Sequence, residues 1–134
     1  MWPKRGRRGR SGGRGQRERE QQRRHWADRV RDIVLACQEC IAFTAGMTLA
    51  EYAADLKTQK AVLMNLVIIG EAAKFTPGRV VRQHPSIGWE DLRELRNFVV
   101  HVYFRVEPRL VWETVHRELP AVARRLEKVL AERE

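Results

Sequence analysis

The sequence predicts an all-α fold. Three observations carry that reading: strand signals are nearly absent, apolar residues recur at helical spacing, and capping residues stand at the breaks between the periodic runs. The first helix is expected from about Trp26 to Thr44. Val30, Ile33, Val34, Cys37 and Ile41 fall on one stripe of it, and Gly46 stands just beyond as a C-terminal stop. Thr48-Leu49-Ala50-Glu51 has the capping-box form and opens a short second helix to about Ala54. A third helix, from about Leu56 to Phe75, is apolar on nearly every side through Ala61–Ile69, so it belongs at the centre or under a partner subunit. Within it Asn65 reads as a hydrogen-bonded buried amide, and Glu71 reads as paired with Lys74 on the next turn.

Thr76-Pro77-Gly78 ends the third helix, and the segment to Gly88 reads as a loop with one short turn before His84-Pro85. The proline disfavours the α region for His84, which reads as structural or exposed. The fourth helix is expected from about Trp89 to Phe104. Pro108 opens the last helix, where its missing N–H costs nothing, and Pro120 is expected to kink it. His116 has no evident chemical partner in the sequence and reads as a packed or surface side chain.

At 134 residues the chain is expected to be one domain. Its net charge of +9 suggests nucleic acid, but the distribution qualifies that suggestion. Residues 1–25 hold ten basic and two acidic residues, leaving sixteen against fifteen in 26–134, so the expected folded part is close to neutral. The first 25 residues also hold five of the nine glycines and almost no apolar side chain after Trp2. Such a segment cannot bury enough surface to offset its chain entropy and is expected to be a disordered basic tail. Two readings of that tail stay open: it holds RNA or DNA by nonspecific charge, or it lies upstream of the natural start.

Arg7-Arg8 is succeeded by no apolar run before Trp26, so an export signal is not expected. The longest apolar stretch, Ala61 to Gly70, is closed by Glu71 and Lys74, so a membrane span is not expected either. The expectation is a soluble cytoplasmic protein. Cys37 and Cys40 form a C-x-x-C without a second ligand pair or a His at finger spacing, and read as two reduced thiols on a packed helix.

The densest chemistry is Arg96-Asn97-Phe98-Val99-Val100-His101-Val102-Tyr103. Arginine offers a planar, permanently charged fork suited to phosphate oxygens, and a histidine with an ordinary pKa of about 6.5 takes and returns a proton near neutrality. At 100° per residue, Leu92, Leu95, Val99, Val102 and Val106 share a stripe about 80° wide, an ordinary core face. Around the rest of the helix come Tyr103, Arg96, Val100, Phe104, Asn97 and His101, so apolar side chains are interleaved with polar ones. A second apolar surface of this kind is explained by a partner, and a second copy about a two-fold axis is the simplest one. Arg96 and His101 are about 140° and roughly 7.5 Å of rise apart, awkward for gripping one phosphate from one straight helix. A two-fold would bring copies of both into a shared cleft. Asn97 stands one turn from His101, where its amide would orient the ring or bind the same phosphate.

An Arg with a polar residue directly after it, a His after four intervening residues and a Tyr after one more resembles the signature of HepT-like toxins, minimal HEPN-domain ribonucleases. The likeness extends from about Arg31 to Leu130. It includes Gly46-Met47, Thr58 with Ala61-Val62, Ile69-Gly70-Glu71-Ala72-Ala73, His84-Pro85 and Val111-Trp112-Glu113. The resemblance implies an HEPN-type bundle of four to five helices, homodimeric, over residues 26–134. It also implies a metal-independent endoribonuclease toxin without cofactor, with Arg96, His101 and Asn97 catalytic. The family's antitoxin is an MntA-like nucleotidyltransferase that adenylates the motif tyrosine, here Tyr103. One departure stands out: the family often places glycine between the motif His and Tyr, and this chain has Val102. A β-branched residue disfavours left-handed geometry, so the helix should continue through His101. That departure keeps a rival open, a non-catalytic HEPN module that docks a nucleotidyltransferase and positions its substrate. A second rival is a nucleic-acid-binding protein acting through the basic tail.

Overall fold

The computed structural model of the chain describes residues 14–105 and 107–133, and every regular element among them is helical. The elements are α1 (Arg14–Thr44), α2 (Leu49–Ala54), α3 (Leu56–Lys74), α4 (Gly78–Gln83), a 3-10 turn (Pro85–Ile87), α5 (Trp89–Arg105), α6 (Pro108–Glu113), a π turn (Thr114–Glu118) and α7 (Leu119–Arg133). Among the described residues no helix is long and apolar enough to cross a membrane.

α1 begins twelve residues before the expected Trp26. Residues 1–13 of the expected disordered tail lie outside the described residues. Over 14–25 the backbone is helical instead. The physical reason is composition: four of the five tail glycines precede Arg14, and residues 16–24 are all Arg, Gln or Glu, which lose little side-chain freedom in a helix. Farther along α1, Ala27, Val30, Ile33, Cys37 and Cys40 are fully buried. The helix stops where Gly46 takes a left-handed φ of 77°, as its place in the sequence predicts.

Thr48 forms the full capping box: its side chain accepts from the Glu51 N–H at 3.1 Å, and the Glu51 carboxylate accepts from the Thr48 N–H at 3.0 Å. Asp55 then closes α2 and opens α3. Its carboxylate accepts from the Thr58 N–H at 3.0 Å and from the Thr58 hydroxyl at 2.7 Å. These bonds, the backbone one foremost, hold the Asp55 carboxyl below its ordinary pKa. A depressed folded pKa means the cap's contribution is present above the unfolded aspartate value of about 3.9 and is lost as pH falls through the lower folded value. Asp55→Ala is therefore expected to melt below wild type at pH 7, with the gap narrowing on acidification toward about pH 3. Thermal melts across that range check it, and a gap independent of pH would refute the charged cap.

α3 is central, wedged between α1 and α5, while α1 packs on its other side against α7. Val62, Leu66 and Ile69 of α3 are fully buried, and each such side chain contributes about 1.5–3 kcal/mol of burial. Asn65 is buried as expected, and the Cys40 thiol donates to the Val62 carbonyl at 3.8 Å. A groove of about 610 Å³ lies between α5 and α7, lined among others by Leu95, Phe98 and Val122.

Two connections are more ordered than the sequence suggests. The segment expected to be a loop after Pro77 contains α4, because the Pro77 carbonyl accepts from Val80 and Val81 and Val80 anchors the turn in the core. His84 is half-buried, and its carbonyl accepts from Trp89 Nε1 at 2.9 Å, which fixes the entry to α5. The irregularity expected at Pro120 is the π turn just ahead of it, where the Leu119 N–H reaches back to the Thr114 carbonyl. Widening that turn eases the proline ring past the preceding carbonyls.

Candidate functional site on the outer face of α5

α5 divides as its periodicity predicts. Leu92, Leu95, Val99 and Val102 face the core, whereas Arg96, Asn97, Val100, His101 and Tyr103 lie on the outer side. Val102 is only 3 % exposed, so it is a packing residue, and the helix runs unbroken past His101 to Arg105. Val100 and Tyr103 are 52 % and 56 % exposed. The Phe104 side chain and Val106 lie outside the described residues. The interleaving of apolar and charged groups read from the sequence is thus a real surface, and on α3, which packs against α5, Met64 is also 60 % exposed.

The expected Glu71–Lys74 pair is replaced. Glu71 Oε1 lies 3.2 Å from Arg96 Nε, bridging α3 to α5. Gly70 explains the change: a Cβ there would stand 2.9 Å from the Arg96 backbone nitrogen and 3.3 Å from its Cβ, so the missing side chain lets the two helices close. Arg96 then lies within reach of Glu71, while the Lys74 ammonium sits over the Phe75 ring at 5.7 Å. Arg93 completes the same contact by donating from Nε to the Ala73 carbonyl at 3.5 Å, near the C-terminal end of α3.

The Asn97 amide turns back one turn and donates to Glu94 Oε2 at 3.3 Å instead of orienting His101. Glu94 is an exposed acceptor at the matching i,i−3 position, and that is where the amide settles. His101 is exposed, and among the described residues its ring makes no hydrogen bond or ion pair within the subunit. Tyr103 borders a cavity of about 320 Å³ walled by Leu56, Lys60, Leu63, Pro108 and Val111. Neither this cavity nor the α5–α7 groove is lined by Arg96 or His101.

Cys37 and Cys40 are both free thiols with no exposed surface, and burial pushes each up to about 12. At neutral pH they are protonated and inert, as buried structural cysteines are. Among the described residues no three His, Cys, Asp or Glu side chains gather as a metal cage. His116 has partners that the sequence did not reveal. Its Nε2 meets Thr44 Oγ1 at 3.1 Å, its Nδ1 meets the Trp112 carbonyl at 2.8 Å, and its ring lies tilted against Trp112 with centroids 4.0 Å apart. It ties the π turn to the end of α1 and is structural.

Sequence comparison points to ribonucleases. The family model described as Ribonuclease HepT-like matches residues 33–129. The chain is 36 % identical over 107 residues to the protein named "Probable ribonuclease HepT" of Thermococcus cleftensis, covering 80 % of this chain and 97 % of that one. It is 33 % identical over 99 residues to "Putative RNase MJ0127" of Methanocaldococcus jannaschii, covering 74 % and 82 % of the two chains. It is also 32 % identical over 103 residues to "Putative RNase MJ0125" of the same organism, covering 77 % and 89 %. No solved structure matches.

Proposed function

Because the chain belongs to the HepT-like ribonuclease family, we propose that it is a metal-independent endoribonuclease whose cleavage centre is composed from Arg96 of one subunit and His101 of a second. The observation that carries this reading is the outer face of α5. Charged Arg96 and His101, which has no partner among the described residues, flank a valine that is half open to solvent. A partner subunit laid over that face would remove the apolar surface from water and supply the second half of each site.

In the reaction, the RNA 2′-hydroxyl gives up its proton to a base as its oxygen attacks the adjacent phosphorus, the P–O5′ bond breaks, and the leaving oxygen takes a proton. His101 acts as general base or general acid in these transfers. The Arg96 guanidinium stabilises the charge that develops on the phosphoryl oxygens, and Asn97 supplies a further donor when the substrate draws it from Glu94. The products are a 2′,3′-cyclic phosphate and a 5′-hydroxyl. Biologically the enzyme is the toxin of a cytoplasmic toxin–antitoxin pair. A nucleotidyltransferase neutralises it by placing AMP on Tyr103, which is accessible and two turns from Arg96 on the same side of the helix. The added phosphate and bulk would compete with RNA for the cleft.

One observation favours the alternative, a non-catalytic module that docks the nucleotidyltransferase: Val102 is locked in the core, so α5 cannot loosen between His101 and Tyr103. The distinguishing experiment is co-expression with a nucleotidyltransferase, peptide mapping by mass spectrometry, and end analysis of RNA treated with the unmodified protein. The expected result is adenylate on Tyr103 together with cyclic-phosphate ends. Adenylate elsewhere would overturn the regulatory part, and intact RNA would favour the docking module.

A further inference from the structure

The Glu71–Arg96 pair is a puzzle for a site that must receive an anion. A carboxylate 3.2 Å from the guanidinium repels the incoming phosphate and partly neutralises the charge meant for it. The pair does little for folding, since its side chains are 59 % and 39 % exposed and open ion pairs contribute little to stability. An electrostatic cost without a folding benefit calls for another role.

We propose that Glu71 is a positioning residue for Arg96, fixing which edge of the guanidinium faces the scissile phosphate. The inference rests on the assignment of Arg96 to that phosphate. The contact is made through Nε, the part of the group nearest its own backbone. A guanidinium anchored there keeps the Nη1 and Nη2 protons as a parallel pair for two phosphoryl oxygens, the bidentate arrangement in which arginine outperforms lysine. An unanchored arginine at an exposed position rotates among many rotamers, and little of its time is spent with both donors aimed at the phosphate.

The anchor is itself well held. Glu71 stands on the central helix of the fold, next to Gly70, whose bare Cα lets the Arg96 backbone come against α3. Arg93, one turn before Arg96, reaches the Ala73 carbonyl at the same crossing. The two side chains therefore spring from helices that cross closely at this point.

This role has a kinetic signature that a simple binding or folding role lacks. Glu71→Gln removes the repulsive charge and leaves only a neutral amide oxygen, a far weaker anchor, opposite Nε. The expected result is a fall in kcat of about tenfold to a hundredfold, with KM for RNA unchanged or lower and the melting temperature within about 2 °C of wild type. Glu71→Asp, which keeps the charge on a shorter arm, should recover part of the lost kcat. In an Arg96→Lys background, which has no Nε edge to hold, Glu71→Gln should cost about twofold or less, the non-additivity expected of residues acting through one another.

Unchanged kcat in Glu71→Gln would overturn the proposal. So would an equal loss in the Arg96→Lys background, which would mean that Glu71 acts directly, and so would a loss that tracks the melting temperature. Arg96→Ala measured alongside separates this inference from the one beneath it. If Arg96→Ala cleaves RNA normally, the site assignment fails. If it does not cleave while Glu71→Gln turns over like wild type, only the positioning role fails.

Discussion

Replacing His101 with alanine is expected to lower kcat for RNA cleavage by a factor of about 100 to 10,000, the range spanned by a positioned general acid–base. Folding should be unaffected, because the ring is exposed and makes no bond within its own subunit among the described residues. The same separation of side chains yields a sharper test. If each site takes its arginine from one chain and its histidine from the other, a heterodimer of Arg96→Ala and His101→Ala chains contains one site with both mutations and one site with neither. Random reassortment makes half of all dimers mixed, so a mixture of two inactive proteins should regain about a quarter of wild-type activity. Cleavage assays on the separate and reassorted proteins measure this directly. Failure to recover activity from chains shown to have exchanged would place both residues of a site on one subunit and overturn the composite arrangement.

Gly70→Ala should produce the largest loss of stability from the smallest chemical change. Alanine in the interior of a helix is ordinarily favoured over glycine by about 1 kcal/mol. Here the new methyl would stand 2.9 Å from the Arg96 nitrogen and 3.4 Å from the Leu92 carbonyl oxygen, atoms of backbone that cannot rotate away. α3 and α5 must separate instead, and overpacking of this kind costs about 1–3 kcal/mol. The net expectation is destabilisation by up to about 2 kcal/mol in urea unfolding, with a loss of kcat as Arg96 is carried off its crossing point. A stabilised Gly70→Ala protein would show that the crossing is looser than described, and the positioning of Arg96 by α3 would lose its foundation.

Those two residues also mark how far the sequence can be read. Local rules locate the helix boundaries that carry a cap or a stop signal. Thr48 with Glu51, Gly46, Pro108 and the apolar stripes of α1 and α5 each act within a few residues, and each does in the fold what its spacing predicts. Where the fold departs from expectation, the decisive partner is remote or a composition taken over a long window conceals a local change. Glu71 has a lysine three residues away in sequence and an arginine twenty-five residues away, and the arginine is its partner because Gly70 lets another helix close. His116 pairs with Thr44, seventy-two residues distant. The helical stretch 14–25 is masked in the average by the glycines that come before it.

The sequence by itself determined the all-α class, the order of the long helices, and the eight-residue segment where cation, imidazole and phenol are set on one helix. Capping and periodicity are short-range, and backbone geometry translates them into position without outside help. Only the tertiary structure decided that Arg96 is met by Glu71, that Asn97 turns to Glu94, that His101 stands open on the surface, and that Cys37 and Cys40 are sealed from solvent. Those outcomes depend on which helices cross and how closely, and the closeness of a crossing is set by packed volume, which no stretch of a single helix encodes.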